Sequence, residues 1–159
     1  MPNNVAEFTV HKPELQVRVT REFNAPRQRV WDVVNDPKLV PEWWGPERYK
    51  TEVDAMDVRV GGKWRYVHKG PDGEFAFNGV YKEVAEPEKV VMTFEFEPMP
   101  GHINVQTMTL TELPGHRTRM DVTVQFDNLA DLEGMVGSGM KEGNLESYDR
   151  LDKVLEARA

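Results

Sequence analysis

The side chains that carry covalent or acid–base chemistry are present in this chain but are not arranged to perform it. Its four histidines, His11, His68, His102 and His116, are scattered. None has a second ligand at the His-x-x-x-His spacing a metal site uses, so they read as solvent-facing or turn residues. Ser138 and Ser147 lack the elbow or the neighbouring base that makes a hydroxyl nucleophilic. Gly61-Gly62 is followed by a strand-like run, and without a helix N-terminus it is a turn rather than a phosphate cradle. The chain has no cysteine, which excludes a thiolate nucleophile, a disulfide framework and a sulfur-ligated metal. The residues therefore assign no catalytic group, no metal ligand and no cofactor.

Recognition chemistry is better represented. Asn104 and Gln106 fall on one side of their strand, in line with Met108 and Leu110. If that side faces inward, the two carboxamides can orient a polar ligand group near one end of a cavity. Tyr66 and His68 are similar candidates at the end of their strand, sharing a face only if no bulge intervenes. Around them the sequence is rich in large polarisable groups: Trp64, Tyr66, Phe75, Phe77, Tyr81, Met92, Phe94, Met108 and Met120. Two readings stay open for this set. One is a solid core, the usual fate of such residues. The other is a cavity lining, for which flexible methionines and an apolar wall with few polar groups are well suited. Trp43 and Trp44 are adjacent at the end of a short helix, about 100° apart around its axis. One can cap the core while the other stands at a cavity mouth, or both can form a lid with their indole N–H groups bonded to backbone.

The elements that must position these groups follow from periodicity. Ser138 to Arg158 places Met140, Asn144, Tyr148, Leu151, Val154 and Leu155 on one side at 3.6 residues per turn. Glu142, Glu146, Asp149, Arg150 and Lys153 fall on the other. This long amphipathic helix must bury its stripe, and nearly everything upstream reads as strand. Residues 1–13 show no sustained period and are expected to be a flexible leader. Glu14–Phe23 alternates as a half-buried strand. Asn24-Ala25-Pro26 stops it, with Asn24 as a candidate cap and Pro26 at the first turn of a helix carrying Val30, Trp31, Val33 and Val34. A second short helix runs from Pro37 to about Trp43 and ends at Gly45-Pro46.

Strand-like runs follow at Tyr49–Met56, Lys63–His68, Glu74–Val84, Lys89–Phe96, Ile103–Leu113 and Arg117–Phe126, separated by Gly, Pro and Asp turns. In the fourth and sixth of these runs, one face is apolar and the other polar, the mark of an antiparallel sheet covered on one side. Glu95, Arg119 and Asp121 fall on the wet face. Gly134, Gly137, Gly139 and Gly143 lie near the start of the last helix. Gly134 and Gly137 are expected in a loop, with mobility of this segment as a gate the second reading. The expected fold is α+β: a curved antiparallel sheet of about seven strands around the C-terminal helix, in one domain over residues 14–158.

A net charge of −7 argues against nucleic-acid or anionic-membrane partners, both of which need a basic footprint. No apolar run approaches the ~20 residues of a membrane span, and no basic-then-apolar signal opens the sequence. Cytoplasm is the expected location.

Several stretches then resemble one family. Phe23-Asn24-Ala25-Pro26 with Val30-Trp31, Trp43-Trp44-Gly45-Pro46, and Val60-Gly61-Gly62-Lys63-Trp64-Arg65-Tyr66 come first. Gly70-Pro71-Asp72-Gly73, Gly79-Val80-Tyr81, Glu86-Pro87-Glu88-Lys89-Val90 and Glu146-Ser147-Tyr148-Asp149-Arg150-Leu151 follow in order. Together they are similar to the branch of the START/polyketide-cyclase (SRPBCC) superfamily named after the activator of the heat-shock-protein-90 ATPase. The resemblance implies a helix-grip fold with a deep, largely apolar cavity between sheet and final helix. It implies a binding role for lipid- or polyketide-like molecules, or cyclase or aromatase activity. The eukaryotic namesake acts on a chaperone but carries an additional N-terminal domain that this sequence does not show, a departure that weighs against a chaperone-activating role.

The expectation is an intracellular binding protein for a hydrophobic or amphipathic small molecule. Trp43, Trp44, Trp64, Tyr66, Phe75, Phe77, Met92, Phe94, Asn104, Gln106, Met108, Met120, Met140, Asn144 and Tyr148 are the candidate ligand contacts. A cyclase- or hydrolase-type enzyme using the same cavity is the alternative, and a chaperone-interacting module the second. Oligomeric state is left open.

Overall fold

A computed structural model of the protein describes residues 6–158. Strict alternation along Gln16–Phe23 sends Val17, Val19, Arg21 and Phe23 to a buried face and the intervening residues outward. The same period recurs in the other long strands, so a single side of the sheet becomes apolar and must be covered. Eight strands form one antiparallel, unclosed sheet in the order β1-β2-β8-β7-β6-β5-β4-β3. They are β1 Glu7–His11, β2 Gln16–Phe23, β3 Lys50–Met56, β4 Lys63–Gly70, β5 Gly73–Ala85, β6 Lys89–Phe96, β7 Ile103–Leu113 and β8 Arg117–Gln125. Helices α1 Arg27–Val34 and α2 Val40–Trp43 follow β2, and α3 Leu129–Gly137 and α4 Met140–Ala157 follow β8.

Helix α4 buries Ser147, Tyr148, Leu151, Val154 and Leu155 in the same core as Val17, Val19 and Phe23 of β2. Arg21, only 3% exposed, shares that inner face. Its guanidinium reaches Asp149 Oδ1 at 2.6 Å and Asp152 Oδ2 at 3.3 Å on α4, which satisfies a charge that could not be buried alone. The arrangement is the helix-grip fold expected from the sequence.

Four details differ from that expectation. The sheet has an eighth strand, β1, inside the segment read as a flexible leader; residues 1–5 lie outside the described residues. Its register, Phe8↔Val19, is set by the backbone ladder to β2. None of its five residues is fully buried. Its alternation rests on two apolar residues only, Phe8, which packs on the core edge, and Val10, too short a period to read. Helix α1 is capped by Pro26 in extended backbone, with no side-chain cap; Asn24 instead accepts a hydrogen bond from Arg117 Nε at 3.4 Å. Helix α2 begins only at Val40, because the residues before it form hydrogen-bonded turns on Asp36.

Finally, Gly134 and Gly137 lie in a helix rather than a loop. Asn128 caps α3, its side chain accepting from the Asp131 amide at 2.8 Å. Leu132 then anchors the helix with complete burial. One such anchor and a cap outweigh two glycines at about 1 kcal/mol each.

Candidate functional site

Alternation on β4 to β8 carries the aromatic and methionine side chains to the inner face, and the helices do not fill the space above them. A cavity of about 600 Å³ remains between sheet and helices. Its sheet wall is built from Trp64, Tyr66 and His68 of β4, Phe75, Phe77 and Tyr81 of β5, and Met92, Phe94 and Phe96 of β6. Asn104, Gln106 and Met108 of β7 and Met120 and Val122 of β8 continue it. The helix wall comprises Trp43 and Trp44 at the end of α2, Met135 of α3, and Met140, Asn144 and Tyr148 of α4. Every residue singled out as a candidate ligand contact lies on this one lining.

Tyr66 and His68 share the inner face, since β4 pairs with β5 in unbroken register from Lys63↔Val80 to Gly70↔Gly73. The two tryptophans divide. Trp43 is buried in the core at 6% exposure. Trp44 is partly buried and lies edge-on to Tyr66, His68 and Phe77, with ring centroids 5.0, 4.9 and 5.1 Å away. Such edge-to-face contacts add roughly 0.5–1.5 kcal/mol each beyond area burial.

The segment carrying them is fixed by its backbone. Trp43 O accepts from Ser147 Oγ at 2.9 Å, Trp44 O from Thr51 Oγ1 at 2.9 Å, and Gly45 O from Arg150 Nη1 at 2.8 Å. Ser147 Oγ also accepts from the Gly45 amide at 2.8 Å. Ser147 and Arg150 therefore clamp Trp43 and Gly45 on either side of Trp44, which Thr51 holds, a positioning role that neither stretch reveals by itself.

The exposed members of the lining mark the mouth. They are Arg48 before β3, Met99, His102 and Ile103 at the β6–β7 turn, and Ala130, Gly134, Ser138 and Gly139 on and after α3. His102 Nδ1 lies 2.7 Å from Asp131 Oδ1, so a polar contact joins the β6–β7 turn to α3 across that mouth. Sequence reasoning missed Met135, which hangs from α3 over Asn104, with Asn104 Nδ2 3.9 Å from its sulfur. The signal was available in Leu129, Leu132 and Met135 at helical spacing behind Asn128.

Electrostatically the interior is neutral. Desolvation lowers the His68 imidazole to about 4, helped by the nearby Arg150 charge, so the ring is uncharged at neutral pH. Burial raises the phenol of Tyr81 to about 12, and raises those of Tyr66 and Tyr148 as well. His68 Nε2 is sealed within the protein without a hydrogen-bond partner. Among the described residues, no three His, Asp or Glu groups converge on a point that could hold a metal ion. No helix among them is long and apolar enough to cross a membrane.

Solved structures share this architecture. A protein of Arthrobacter aurescens superposes with a TM-score of 0.88 at 26% identity, covering 95% of this chain and 91% of its own. One from Mycobacterium smegmatis gives 0.87 at 26% identity, over 95% and 96%. DynU16, a protein of the dynemicin biosynthetic locus, shares the fold at 22% identity and a TM-score of 0.67, over 91% of this chain but 48% of its own. No curated protein matches the chain. The family described as Activator of Hsp90 ATPase homolog 1-like protein matches residues 24–156, most of the chain, and includes the Trp-Trp segment, strands β3 to β8 and the clamp on α4. The chain belongs to that family.

Proposed function

We propose that the protein binds a hydrophobic or amphipathic small molecule in the cavity between the sheet and α4. The observation that carries this reading is the cavity itself. About 600 Å³ of space open to solvent at its mouth, walled mainly by aromatic and methionine side chains, remains in a core that packing would otherwise close. Burial drives the association, with each 100 Å² of apolar ligand surface contributing roughly 2.5 kcal/mol. Methionines at Met92, Met108, Met120 and Met140 let the wall adjust to its occupant. Catalysis has weaker support. The one carboxylate on the lining, Asp131, is engaged at the mouth by His102, and His68 Nε2 is sealed away.

Native mass spectrometry of the protein as purified, with a denatured extract alongside, tests this directly, and titration with the neutral dye Nile red tests it independently. A co-purifying small molecule, or saturable dye binding at one site per chain, is expected. Gly143→Leu should abolish it, because Gly143 borders the cavity and a Cβ added there meets no protein atom within 4 Å, leaving the branched side chain free to occupy ligand space. An empty protein that also fails to bind the dye would overturn the proposal.

A further inference from the structure

We propose that the occupant of this cavity presents an uncharged hydroxyl or carbonyl group, read by the carboxamides of Asn104, Gln106 and Asn144, and that ionised carboxylates and phosphates are rejected. The inference rests on the cavity-binding reading above and narrows it to a chemical class.

The argument begins with charge. Among the described residues, the only Asp, Glu, Lys or Arg side chains on the lining are Arg48 and Asp131, and both stand at the mouth. Arg48 is exposed, with its guanidinium 5.0 Å from the centroid of the Tyr49 ring. Asp131 is held by His102 Nδ1 at 2.7 Å and Asn128 Nδ2 at 3.2 Å. Deeper in, His68 is a neutral imidazole and the buried tyrosines keep their protons. Arg150, whose charge is felt at His68, lies behind the lining and is engaged by Gly45 O at 2.8 Å and Pro41 O at 3.4 Å. An anionic head drawn inside would therefore lose its hydration and meet no cation on the inner wall, a costly exchange. The positive end of α4 also reaches the mouth at Gly139, but Glu142 in its first turn and Asp131 on the rim offset it.

Hydrogen-bonding capacity, by contrast, is present and underused. Asn104 is 2% exposed, yet its contacts are a Met135 sulfur at 3.9 Å and a bond accepted from Gln106 Nε2 at 3.3 Å. Gln106 Oε1 and the Asn144 carboxamide have no protein hydrogen-bond partner among the described residues, and neither is sealed away from the cavity. A carboxamide offers both donor and acceptor, so the set can satisfy a hydroxyl or a carbonyl alike. The two β7 residues face it from the sheet wall and Asn144 from the helix wall. The remainder of the lining is aromatic or aliphatic, which suits a rigid ring system as the body of the ligand.

Three fluorescent probes on one ring scaffold separate the possibilities: 1-methylpyrene, 1-pyrenemethanol and 1-pyrenecarboxylate, titrated at pH 7.5. The alcohol should bind at least about tenfold more tightly than the carboxylate, and about threefold to tenfold more tightly than the methyl compound. Asn104→Leu and Asn144→Leu, each checked for an unchanged fold by circular dichroism, should erase the alcohol's advantage while leaving the methyl compound bound. A carboxylate that binds as well as the alcohol overturns the inference, as does an alcohol preference that survives both substitutions. If none of the three probes binds, the cavity-binding reading fails and this inference falls with it.

Discussion

The imidazole of His68 rests on the Cα of Gly45: a Cβ built there would meet its Nε2 and Cε1 at 2.6 Å. Gly45 also has φ +82°, a backbone conformation that L side chains rarely adopt. Gly45→Ala is expected to destabilise the fold by at least about 2 kcal/mol through the left-handed backbone and the collision together. Chemical denaturation of a double-mutant cycle checks it. In a His68→Ala background the same substitution should cost less, only the backbone part remaining, and equal costs in both backgrounds would disprove the contact.

Burial of His68 also has a pH signature. The unfolded chain takes up the imidazole proton near 6.5, the folded protein only near 4. Between those values the unfolded state holds more protons, so stability falls as pH is lowered. The contribution is complete above about 6.5, is lost through the window and levels off below about 4. His68→Gln should flatten stability across pH 4 to 6.5 relative to the parent, as followed by urea midpoints. Parallel curves for the two proteins would show that this ring is not the group responsible.

Trp64 and Gly79 make a second linked pair. They are register partners on β4 and β5, and the indole crosses Gly79 so that Nε1 donates to Thr93 O on β6 at 3.1 Å. A Cβ at Gly79 would lie 1.9 Å from that oxygen and 2.4 Å from Nε1. Trp64→Phe keeps a ring but removes the indole hydrogen bond to Thr93 O, an expected loss of about 1 kcal/mol. Gly79→Ala should be worse, with backbone rather than a flexible side chain in the way. Thermal melts of the two variants rank them, and a tolerated Gly79→Ala would refute the geometry.

The glycines beside the mouth behave oppositely. Added methyl groups at Gly134 or Gly143 meet nothing within 4 Å, and neither residue has positive φ, unlike Gly139 at +93°. Gly134→Ala and Gly143→Ala should each stabilise the protein by about 1 kcal/mol, raising Tm by roughly 2–4 °C. Calorimetry decides, and a lowered Tm would mean that α3 and α4 need the freedom of glycine there. Amide exchange over Asp131–Gly143 adds the kinetic side, with protection lower than in β7 if this segment opens.

How far the sequence could be read depends on what each residue answers to. Strand alternation grouped Met92 with Phe94 and Asn104 with Gln106 and Met108, so the composition of the wall was legible. The side that Asn104 faces and the shared face of Tyr66 and His68 stayed conditional on register and bulges. Whether those side chains met in the middle was not, because that depends on how far the sheet curves and on rotamers. Strand β1 escaped because its place is set mainly by the backbone ladder to β2, with Phe8 alone packing on the core. Helix α3 escaped because Gly134 and Gly137 weigh against helix while the Asn128 cap and the Leu129, Leu132, Met135 spacing weigh for it, and it is the complete burial of Leu132, a tertiary fact, that tips the balance. The clamp of Ser147 and Arg150 on the Trp43–Gly45 carbonyls joins positions about a hundred residues apart, and no local pattern encodes it.

The pairing of β2 with β8 also bears on how the chain is made. Thr20 and Asp121, hydrogen-bonded across that seam at 2.8 Å, are 101 positions apart. During translation β2 emerges early but has no partner on its inner side until β8 has left the ribosome. Domain completion is therefore a late event, and chain ends brought together over such a separation make folding slow. A nascent chain arrested before β8 would carry one unpaired edge on β2 and another on β7, the state in which this protein is most exposed to aggregation.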